Sequence, residues 1–263
     1  MTVYRNLLKV RIMTDLDYLN RDGGERLAYR RRIGTEPGVV WLGGFRSDME
    51  GTKAHVIDAW AERTGRSCLR FDYFGHGSSS GDFLDGTISR WRNDALAALE
   101  KLTDGPQILV GSSMGAWIAI LLARTIPQRV AGLLLIAPAA DFTEALMWQL
   151  MPEDIKSVIM EKGVWRRETA YDGEEHPITR VLIEDGRNNL VLDQAMAVAY
   201  PVRILQGMAD IDVPWPHAMK VVESFVGDVT ITLVKNGDHR LSSPSDLKLL
   251  ECALESLTAE IGQ

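Results

Sequence analysis

Short apolar runs bounded by glycine or polar residues alternate along the chain with longer segments of mixed apolar and polar positions. The runs predict buried strands of a parallel sheet, because strands covered on both faces are apolar throughout. These strands are Val39–Leu42, Ser67–Phe71, Gln107–Val110, Ala131–Ile136, Val202–Leu205 and Val229–Val234. The longer segments predict helices at Thr52–Thr64, Ile88–Leu102, Ala116–Arg124 and Asp246–Ile261, the last with Ser245 as its N-cap. This alternation favours the α/β class, with a mostly parallel central sheet and helices on both faces.

The alternation is interrupted between Ala137 and Pro201, where no strand is expected. The segment contains the helical pattern DFTEALMWQLMPEDIKSVIMEKG, followed by the loop-like stretch DGEEHP. We therefore expect a single domain, residues 1–263, with a mainly helical cap inserted at residues 138–200. The Met and Trp residues of this insertion either line an apolar slot for an acyl chain or form a satellite packing layer, and the two are compatible. The insertion also contains Arg166, Arg167, Arg180 and Arg187. These arginines either bind a carboxylate of the substrate or lie on a solvated surface.

Composition narrows the class of protein. The 263 residues include 29 basic and 36 acidic side chains, and the net charge of −7 disfavours nucleic acid and anionic membranes as partners. Cys68 and Cys252 are far apart, so the sequence has no disulfide framework or metal-ligand spacing, and a reducing compartment is favoured. The uncharged stretch from Gly105 to Ala123 has GSSMG in its middle, which fits a buried strand, turn and helix better than a membrane span. We expect no membrane insertion and no metal.

The first residues, MTVYRNLLKVRIM, are basic and mildly apolar. They lack the apolar core and the small-residue cleavage site of a secretory signal. Three interpretations stay open: a weak transit-like segment, an overlong start with Met13 as the true first residue, or a first strand of the fold.

The stretch ILVGSSMGAW places Ser113 at the centre of a G-x-S-x-G match, with a predicted strand before it and a predicted helix after it. This is the context of a nucleophile elbow, in which a strained turn pushes the central side chain clear of the sheet. Glycines two residues away on either side are needed because side chains there would clash with the neighbouring backbone. Ser112 occupies the variable position and should point elsewhere.

A serine hydroxyl needs a base, and the base needs an orienting acid. Of the five histidines, His239 is the one in a loop directly after a predicted late strand, within VTITLVKNGDHRL. The acid is expected after the preceding strand, where VRILQGMADIDVPW supplies Asp210 as first choice and Asp212 as reserve. Asp238 is adjacent to the histidine, so its side chain would have to fold back to reach the ring.

A tetrahedral intermediate needs two N–H donors for its oxyanion. The backbone N–H of Met114, directly after the nucleophile, is the expected first donor. The stretch VVWLGGFRSD ends an early strand with two glycines, which allow close backbone approach. The N–H of Phe45 is our choice for the second donor, with Gly44 next.

The glycine-rich stretch FDYFGHGSSSGDF follows the Ser67–Phe71 strand and predicts a tight loop near the same edge of the sheet. A phosphate-binding loop is the alternative, but the Walker lysine is missing. Ser80 also stands where the third glycine of G-x-G-x-x-G should be. We therefore expect no nucleotide cofactor.

The motifs GGF, FDYFGHGSS, GSSMGAW, QGMADIDVPW and NGDHR occur in this order, and together they resemble the α/β-hydrolase superfamily. Within it, the chain from about Leu19 to Leu257 is similar to the mitochondrial palmitoyl-protein thioesterases, also described as mycophenolic-acid acyl-glucuronide esterases, and to their bacterial relatives. The most specific matches are GTKA, RFDYFGHGSS, WRNDAL, GPQILVGSSMGAW, GMADIDVPW and GDHR, and the cap matches least. One departure is Gln206, where many relatives carry histidine.

The resemblance implies an α/β-hydrolase fold with Ser113 as nucleophile, Asp210 as acid and His239 as base. It implies a serine hydrolase that cleaves carboxylic esters or thioesters of a small molecule or an acylated protein, without a cofactor. Bacterial cytoplasm is the expected location, and the mitochondrial matrix is the alternative for a eukaryotic source. Two other functions stay open: cleavage of a peptide, lactone or carbon–carbon bond by the same residues, and a non-catalytic binding protein on this fold.

Overall fold

The structure is a computed structural model that describes residues 15–168 and 175–261. The basic start of the chain, with its three interpretations, lies outside the described residues. The strands, numbered along the chain, are β1 (Asp17–Asn20), β2 (Arg26–Arg32), β3 (Thr35–Leu42), β4 (Arg66–Phe71), β5 (Gln107–Ser112), β6 (Val130–Ile136), β7 (Val164–Glu168), β8 (Glu175–Thr179), β9 (Met196–Ala197), β10 (Val202–Gly207), β11 (Phe225–Val226) and β12 (Val229–Val234). The α-helices are α1 (Thr52–Thr64), α2 (Ile88–Leu102), α3 (Met114–Thr125), α4 (Glu153–Lys162), α5 (Arg180–Arg187), α6 (Trp215–Glu223) and α7 (Pro244–Ile261).

Within these residues the central sheet has eight strands in the order β1-β2-β4-β3-β5-β6-β10-β12. Neighbouring strands in the part of this sheet ordered β4-β3-β5-β6-β10-β12 pair in parallel, whereas β1–β2 and β2–β4 pair antiparallel. The prediction of a mostly parallel α/β sheet is therefore confirmed. The crossover helices place the carboxyl ends of the parallel strands at one edge, where the loops after them meet.

Helices cover both faces of the sheet, as predicted. Alternate residues of β3 point to opposite faces, so Val40 belongs to the apolar core under α2 and α3, and Val39 to the core under α1 and α7. Trp91 of α2 and Trp117 of α3 are fully buried in the first of these cores. The packing fixes the sheet from both sides, so the loops at its edge are held on a rigid base.

The predicted strands and helices are found, with some shifted ends. Helix α3 begins at Met114, two residues before the predicted start, because the turn at Ser113 leads directly into it. The prediction of Ser245 as N-cap of the last helix is wrong. Helix α7 begins at Pro244, and Ser243 caps it: the Ser243 Oγ accepts from the N–H of Asp246 at 3.3 Å, and the Asp246 carboxylate accepts from the N–H of Ser243 at 3.1 Å.

Strand β2, with the sequence RLAYRRR, was not among the predicted strands because its arginines hide the apolar signal. Arg32 is nonetheless buried, and its guanidinium donates to Asp58 at 2.9 Å and Glu62 at 3.1 Å. The partners on α1 satisfy the buried charge, which lets a cationic strand lie inside the sheet.

The expectation that residues 138–200 contain no strand is wrong. Strands β7 and β8 form an antiparallel hairpin, and β9 pairs with β11. The sequences VWRRE and EHPIT are short and rich in polar residues, so they lack the apolar run by which the other strands were recognised. The helical part of the insertion consists of α4, α5, a π-helical turn at Thr143–Met147 and a 3-10 turn at Trp148–Leu150.

The apolar side chains of the insertion form a small core of their own around Ile159, Ile178 and Ile183. Met147 packs on this core, and so does Phe45 from the loop after β3. The insertion thus contains the packing layer anticipated from its methionines, and it lies against the loop that carries Phe45.

Arg166, Arg180 and Arg187 of the insertion are paired with carboxylates of the same chain. Arg187 donates to Glu144 at 2.8 Å and Arg180 to Glu184 at 2.6 Å, while the closest approach of Arg166 to Glu175 is 3.9 Å. These are exposed or half-exposed pairs, which fits the surface interpretation of the arginines.

Candidate active site

Ser113 lies at the tip of a sharp turn between β5 and α3, with φ 55° and ψ −117°. A Cβ at Gly111 would lie 2.4 Å from the carbonyl oxygen of Gly115, and a Cβ at Gly115 would lie 2.0 Å from that of Leu42. Neither position accepts a side chain without backbone movement. The two glycines therefore permit a strained turn that lifts Ser113 off the sheet edge.

The backbone of Ser113 is held by the end of β6 and by the loop that follows it. Its N–H donates to the carbonyl of Ile136 at 2.8 Å, and its carbonyl accepts from the N–H of Ala139 at 3.2 Å. In this loop Ala137 and Asp141 also have positive φ, at 46° and 56°. Strained residues thus lie both in the turn and in the loop that contacts it, and the surrounding contacts fix the geometry of the turn.

The structure brings Ser113, His239 and Asp210 together. His239 follows β12 and Asp210 follows β10, so both lie at the carboxyl edge of the sheet near the turn after β5. The His239 Nε2 lies 3.1 Å from the Ser113 Oγ, and the His239 Nδ1 lies 2.8 Å from the Asp210 Oδ2. This arrangement lets a neutral imidazole accept the hydroxyl proton while the carboxylate holds the other ring nitrogen protonated.

Asp210 is buried, and both of its carboxylate oxygens accept hydrogen bonds. The Oδ1 accepts from the N–H groups of Asp212 at 2.9 Å and Val213 at 2.8 Å. The Oδ2, beside His239, also accepts from the Gln206 amide at 3.3 Å. Asp212, the reserve candidate, therefore contributes a backbone N–H that fixes the carboxylate of Asp210.

Gln206 is fully buried, and its Nε2 also lies 2.9 Å from the carbonyl of Val213. It thereby connects the end of β10 with the turn that carries Asp210. The sequence analysis noted Gln206 only as a departure from the resemblance, because the sequence around a glutamine in an apolar strand does not indicate which groups it will hydrogen-bond.

The ligand atoms of Asp210, Asp212 and His239 lie within 4.8 Å of one another, the spacing of a candidate cation site. In this arrangement the Asp210 oxygens already accept from His239, Gln206 and two backbone N–H groups. A cation there would compete with the hydrogen bond between Asp210 and His239.

The loop after β3 passes directly beside the nucleophile candidate. A Cβ built on Gly44 would lie 3.4 Å from the Ser113 Cβ, so the next residue, Phe45, begins alongside the Ser113 side chain. Met114, whose N–H is the other predicted donor, is the first residue of α3. The N-terminus of this helix adds positive potential beside Ser113, where negative charge would develop.

The glycine-rich stretch after β4 folds around its own aspartate. The Asp72 carboxylate accepts from the N–H groups of Met49 at 2.7 Å and Ser78 at 2.8 Å, and a Cβ at Gly77 would lie 2.2 Å from it. Burial raises the pKa of Asp72 to about 6. Because a carboxylate of the chain itself lies inside this loop, the loop does not have the character of a phosphate cradle.

Lys53 of α1 supports the loop that carries the imidazole, a contact that sequence reasoning missed. Its Nζ donates to the carbonyl of Arg240, the residue after His239. Burial lowers the pKa of Lys53 to about 8, although Asp238 opposes the shift. The GTKA motif was noted for its resemblance only, since nothing in the sequence joins residue 53 to residue 240.

A cleft of about 420 Å³ opens between the glycine-rich loop and the β7–β8 hairpin of the insertion. Arg46 lines it from the loop after β3 and His76 from the loop after β4. Arg166 and Pro177 line it from β7 and β8 of the insertion. Because Arg46 follows Phe45, this cleft begins one residue from the predicted oxyanion donor.

Among residues 15–168 and 175–261, none of the helices combines the length and hydropathy needed to cross a bilayer.

The family model described as the alpha/beta hydrolase family matches residues 39–249, a span that runs from β3 to α7. The chain belongs to the α/β hydrolase family. The fold and the resemblance predicted from the motifs are thereby confirmed.

Among members of this hydrolase family, the chain is similar to the mitochondrial palmitoyl-protein thioesterase ABHD10 of Homo sapiens. The two are 37% identical over 246 residues, which cover 93% of this chain and 80% of the human protein. The mouse α/β hydrolase domain-containing protein 10 superposes with a TM-score of 0.88 at 35% identity, over 94% of this chain and 100% of that one. A provisionally named hydrolase from Agrobacterium vitis S4 superposes with a TM-score of 0.90 at 42% identity, over 94% and 99% of the two chains.

Proposed function

We propose that the protein hydrolyses carboxylic esters or thioesters through an acyl-enzyme formed on Ser113. Membership of the α/β hydrolase family and the similarity to thioesterases over 93% of the chain support ester or thioester hydrolysis. The observation that carries the roles of individual residues is the continuous path from Ser113 Oγ to His239 Nε2 at 3.1 Å and from His239 Nδ1 to Asp210 Oδ2 at 2.8 Å.

In the first half of the reaction, His239 takes the proton of Ser113 as the hydroxyl oxygen attacks the acyl carbon. Asp210 keeps the Nδ1 proton in place and stabilises the imidazolium that forms. The N–H groups of Phe45 and Met114 donate to the oxyanion. His239 then gives its proton to the departing alcohol or thiol, which leaves the acyl group on Ser113.

In the second half, His239 accepts a proton from water as the water oxygen attacks the acyl carbon. The tetrahedral intermediate collapses when the bond to the Ser113 oxygen breaks, and the imidazolium returns its proton to that oxygen. The products are the free acid and the original enzyme, so the cycle balances without a cofactor or metal.

A long-chain acyl thioester is the substrate class that we propose for this site. The named thioesterase relatives support it, and so does the aromatic cluster beside Ser113, in which the ring centroids of Phe83 and Phe142 lie 5.0 and 5.8 Å from that of Phe45. Residues 138–200 would act as a cap within one catalytic domain, since their small core packs on Phe45. The substrate is a small acyl compound or an acylated protein.

The location of the protein is proposed from its relatives. The names of the palmitoyl-protein thioesterase relatives describe them as mitochondrial, which supports the mitochondrial matrix as the alternative location. The bacterial cytoplasm stays a prediction, as does the absence of nucleic acid among the partners.

A fluorophosphonate probe tests the proposed nucleophile. We expect it to label the wild type and the Ser112→Ala control, and to leave Ser113→Ala unlabelled. Ser112 is the matched control because it is the adjacent serine, at the last position of β5. Folded wild-type protein that resists labelling would instead support a binding protein.

A series of p-nitrophenyl esters of rising chain length, together with palmitoyl-thioester and lactone substrates, tests the bond and the acyl group. We expect kcat/KM to rise toward long chains and to include the thioester. A preference for acetyl esters, or for the lactone, would contradict the long-chain thioesterase assignment while leaving the acyl-enzyme mechanism intact.

A further inference from the structure

The loop that supplies the Phe45 N–H is a four-residue turn from Gly44 to Ser47. The N–H of Ser47 donates to the carbonyl of Gly44 at 3.0 Å, and Arg46 at the third position has a φ of 59°. Positive φ at the third position alone is the type II pattern, which normally has glycine there. An arginine in this conformation is strained, so we expect a contact from outside the turn to hold the central peptide in this orientation.

His76 provides that contact. Its Nε2 lies 3.2 Å from the N–H of Arg46, the N–H of the central peptide of the turn. Its Nδ1 lies 3.1 Å from the carbonyl of Phe74, which can only accept, so the ring proton is on Nδ1 and the Nε2 lone pair faces Arg46. Burial, with a smaller effect of the Arg46 charge, lowers the pKa of His76 to about 4, and the ring is neutral near pH 7.

His76 and Phe45 also pack on the same two rings. The His76 ring centroid lies 5.1 Å from that of Phe83 and 5.1 Å from that of Trp91. The Phe45 centroid lies 5.0 and 5.9 Å from the same two rings. The ring of Phe45 and the peptide after it are therefore held by one cluster, in which His76 contributes the polar contact.

We propose that His76 is a positioning residue for the oxyanion donor: its neutral Nε2 holds the Phe45–Arg46 peptide so that the Phe45 N–H stays beside Ser113. This rests on the proposed function, since the donor matters only if an oxyanion forms. Loss of the acceptor removes the bond that opposes the backbone strain at Arg46, and relaxation toward negative φ turns the central peptide over and shifts Phe45. The Met114 donor is unaffected, so activity falls without vanishing.

A matched pair of variants separates the two hydrogen bonds of His76. The amide of His76→Asn reaches the Nδ1 position and keeps the bond to Phe74 but removes the acceptor for Arg46. The longer amide of His76→Gln reaches the Nε2 position and keeps that acceptor. We expect kcat for a p-nitrophenyl ester to fall about 10- to 100-fold in His76→Asn, below the full loss of a donor, and to stay within about threefold in His76→Gln.

A purely structural role for His76 makes a different prediction. Both variants would then lose similar amounts of activity in proportion to their loss of thermal stability, and that outcome would overturn the proposal, as would unchanged kcat in His76→Asn. Loss confined to KM would also overturn it, because the oxyanion contact forms in the transition state. His76→Phe, which keeps a ring in the cluster but has neither nitrogen, replaces His76→Asn if the latter fails to fold.

Arg46→Gly provides an independent check, since glycine adopts positive φ without strain. In this background we expect His76→Asn to cost at least threefold less kcat than in the wild type, and an equal cost would count against the proposed turn. Wild-type protein that neither hydrolyses the ester nor binds the fluorophosphonate would remove the proposed function itself. Active wild type with an insensitive His76 would remove only this inference.

Discussion

Replacing Asp210 with asparagine tests the proposed acid with almost no change in shape. The hydrogen bonds around the residue determine how the new amide must lie. The Oδ1 accepts from two buried N–H groups, those of Asp212 and Val213, at 2.9 and 2.8 Å. If the amide NH₂ took that position, donors would face donors and two backbone groups would lose their partner, at a cost of about 1–3 kcal/mol each.

The amide oxygen is therefore expected at the Oδ1 position, with the NH₂ facing His239, because this orientation loses only the longer 3.3 Å bond from the Gln206 amide. A donor in that place forces the Nδ1 of His239 to be the unprotonated nitrogen. The proton then lies on Nε2, which is 3.1 Å from the Ser113 Oγ and can no longer accept the hydroxyl proton. The variant would keep the geometry of the site and hold the wrong tautomer.

We expect kcat to fall by about 10⁴, the effect of the same change in a serine protease with a Ser-His-Asp triad, which corresponds to about 5 kcal/mol of lost transition-state stabilisation. The assay is hydrolysis of a p-nitrophenyl ester under saturating substrate, with circular dichroism to confirm folding. KM should change little, because the Asp210 side chain is fully buried.

Asp212→Asn is the matched control, since it changes the neighbouring carboxylate in the same way and retains the backbone N–H that holds Asp210. It should stay within about threefold of wild type. Retention of a tenth or more of wild-type kcat by Asp210→Asn would refute the tautomer argument. Loss of activity in Asp212→Asn together with an active Asp210→Asn would indicate that the reserve residue is the functional acid.

Three further predictions concern stability. Gly115→Ala should lower the free energy of unfolding by about 3 kcal/mol, measured by urea denaturation, because its Cβ would lie 2.0 Å from the carbonyl of Leu42; a loss under 1 kcal/mol would be inconsistent with that contact. Trp117→Ala should lower it by about 3–5 kcal/mol, since the ring is fully buried and its Nε1 donates to the carbonyl of Asn189 at 3.0 Å. His76 has a folded pKa of about 4 against 6.5 unfolded, so the wild type loses stability as pH falls through this window, by up to about 3 kcal/mol from this group. The stability deficit of His76→Gln should accordingly shrink between pH 7 and pH 4.5, and a constant difference would contradict the neutral buried ring.

Much of the site was predictable because its chemistry has strong local signatures. The glycines around Ser113 are required by backbone contacts within a few residues, so they appear in the sequence as a motif. His239 and Asp210 each follow a strand at the carboxyl edge, and the order of strands along the chain was enough to select them. The distances agree with this selection, while the catalytic roles stay proposals to be tested with the variants above.

The wrong or missing predictions concern segments whose local sequence pattern does not reflect their environment in the folded chain. Strand β2 was missed because the charge of Arg32 is balanced by residues of α1, about 30 positions away. The β7–β8 hairpin was missed because its strands are short and polar. Ser243 rather than Ser245 caps α7, since a choice between nearby serines depends on where the chain turns.

The sequence by itself determined the α/β class, the turn at Ser113 and the residues able to serve as base and acid, because periodicity and steric demand act over short stretches of chain. The tertiary structure alone decided the contacts that hold this chemistry in place: Lys53 on the His239 loop, Gln206 on Asp210, and His76 on the turn after Phe45. These partners are far apart in sequence or consist of ordinary polar residues. A hydrogen bond depends on the position and direction of two groups, and only the folded chain fixes both.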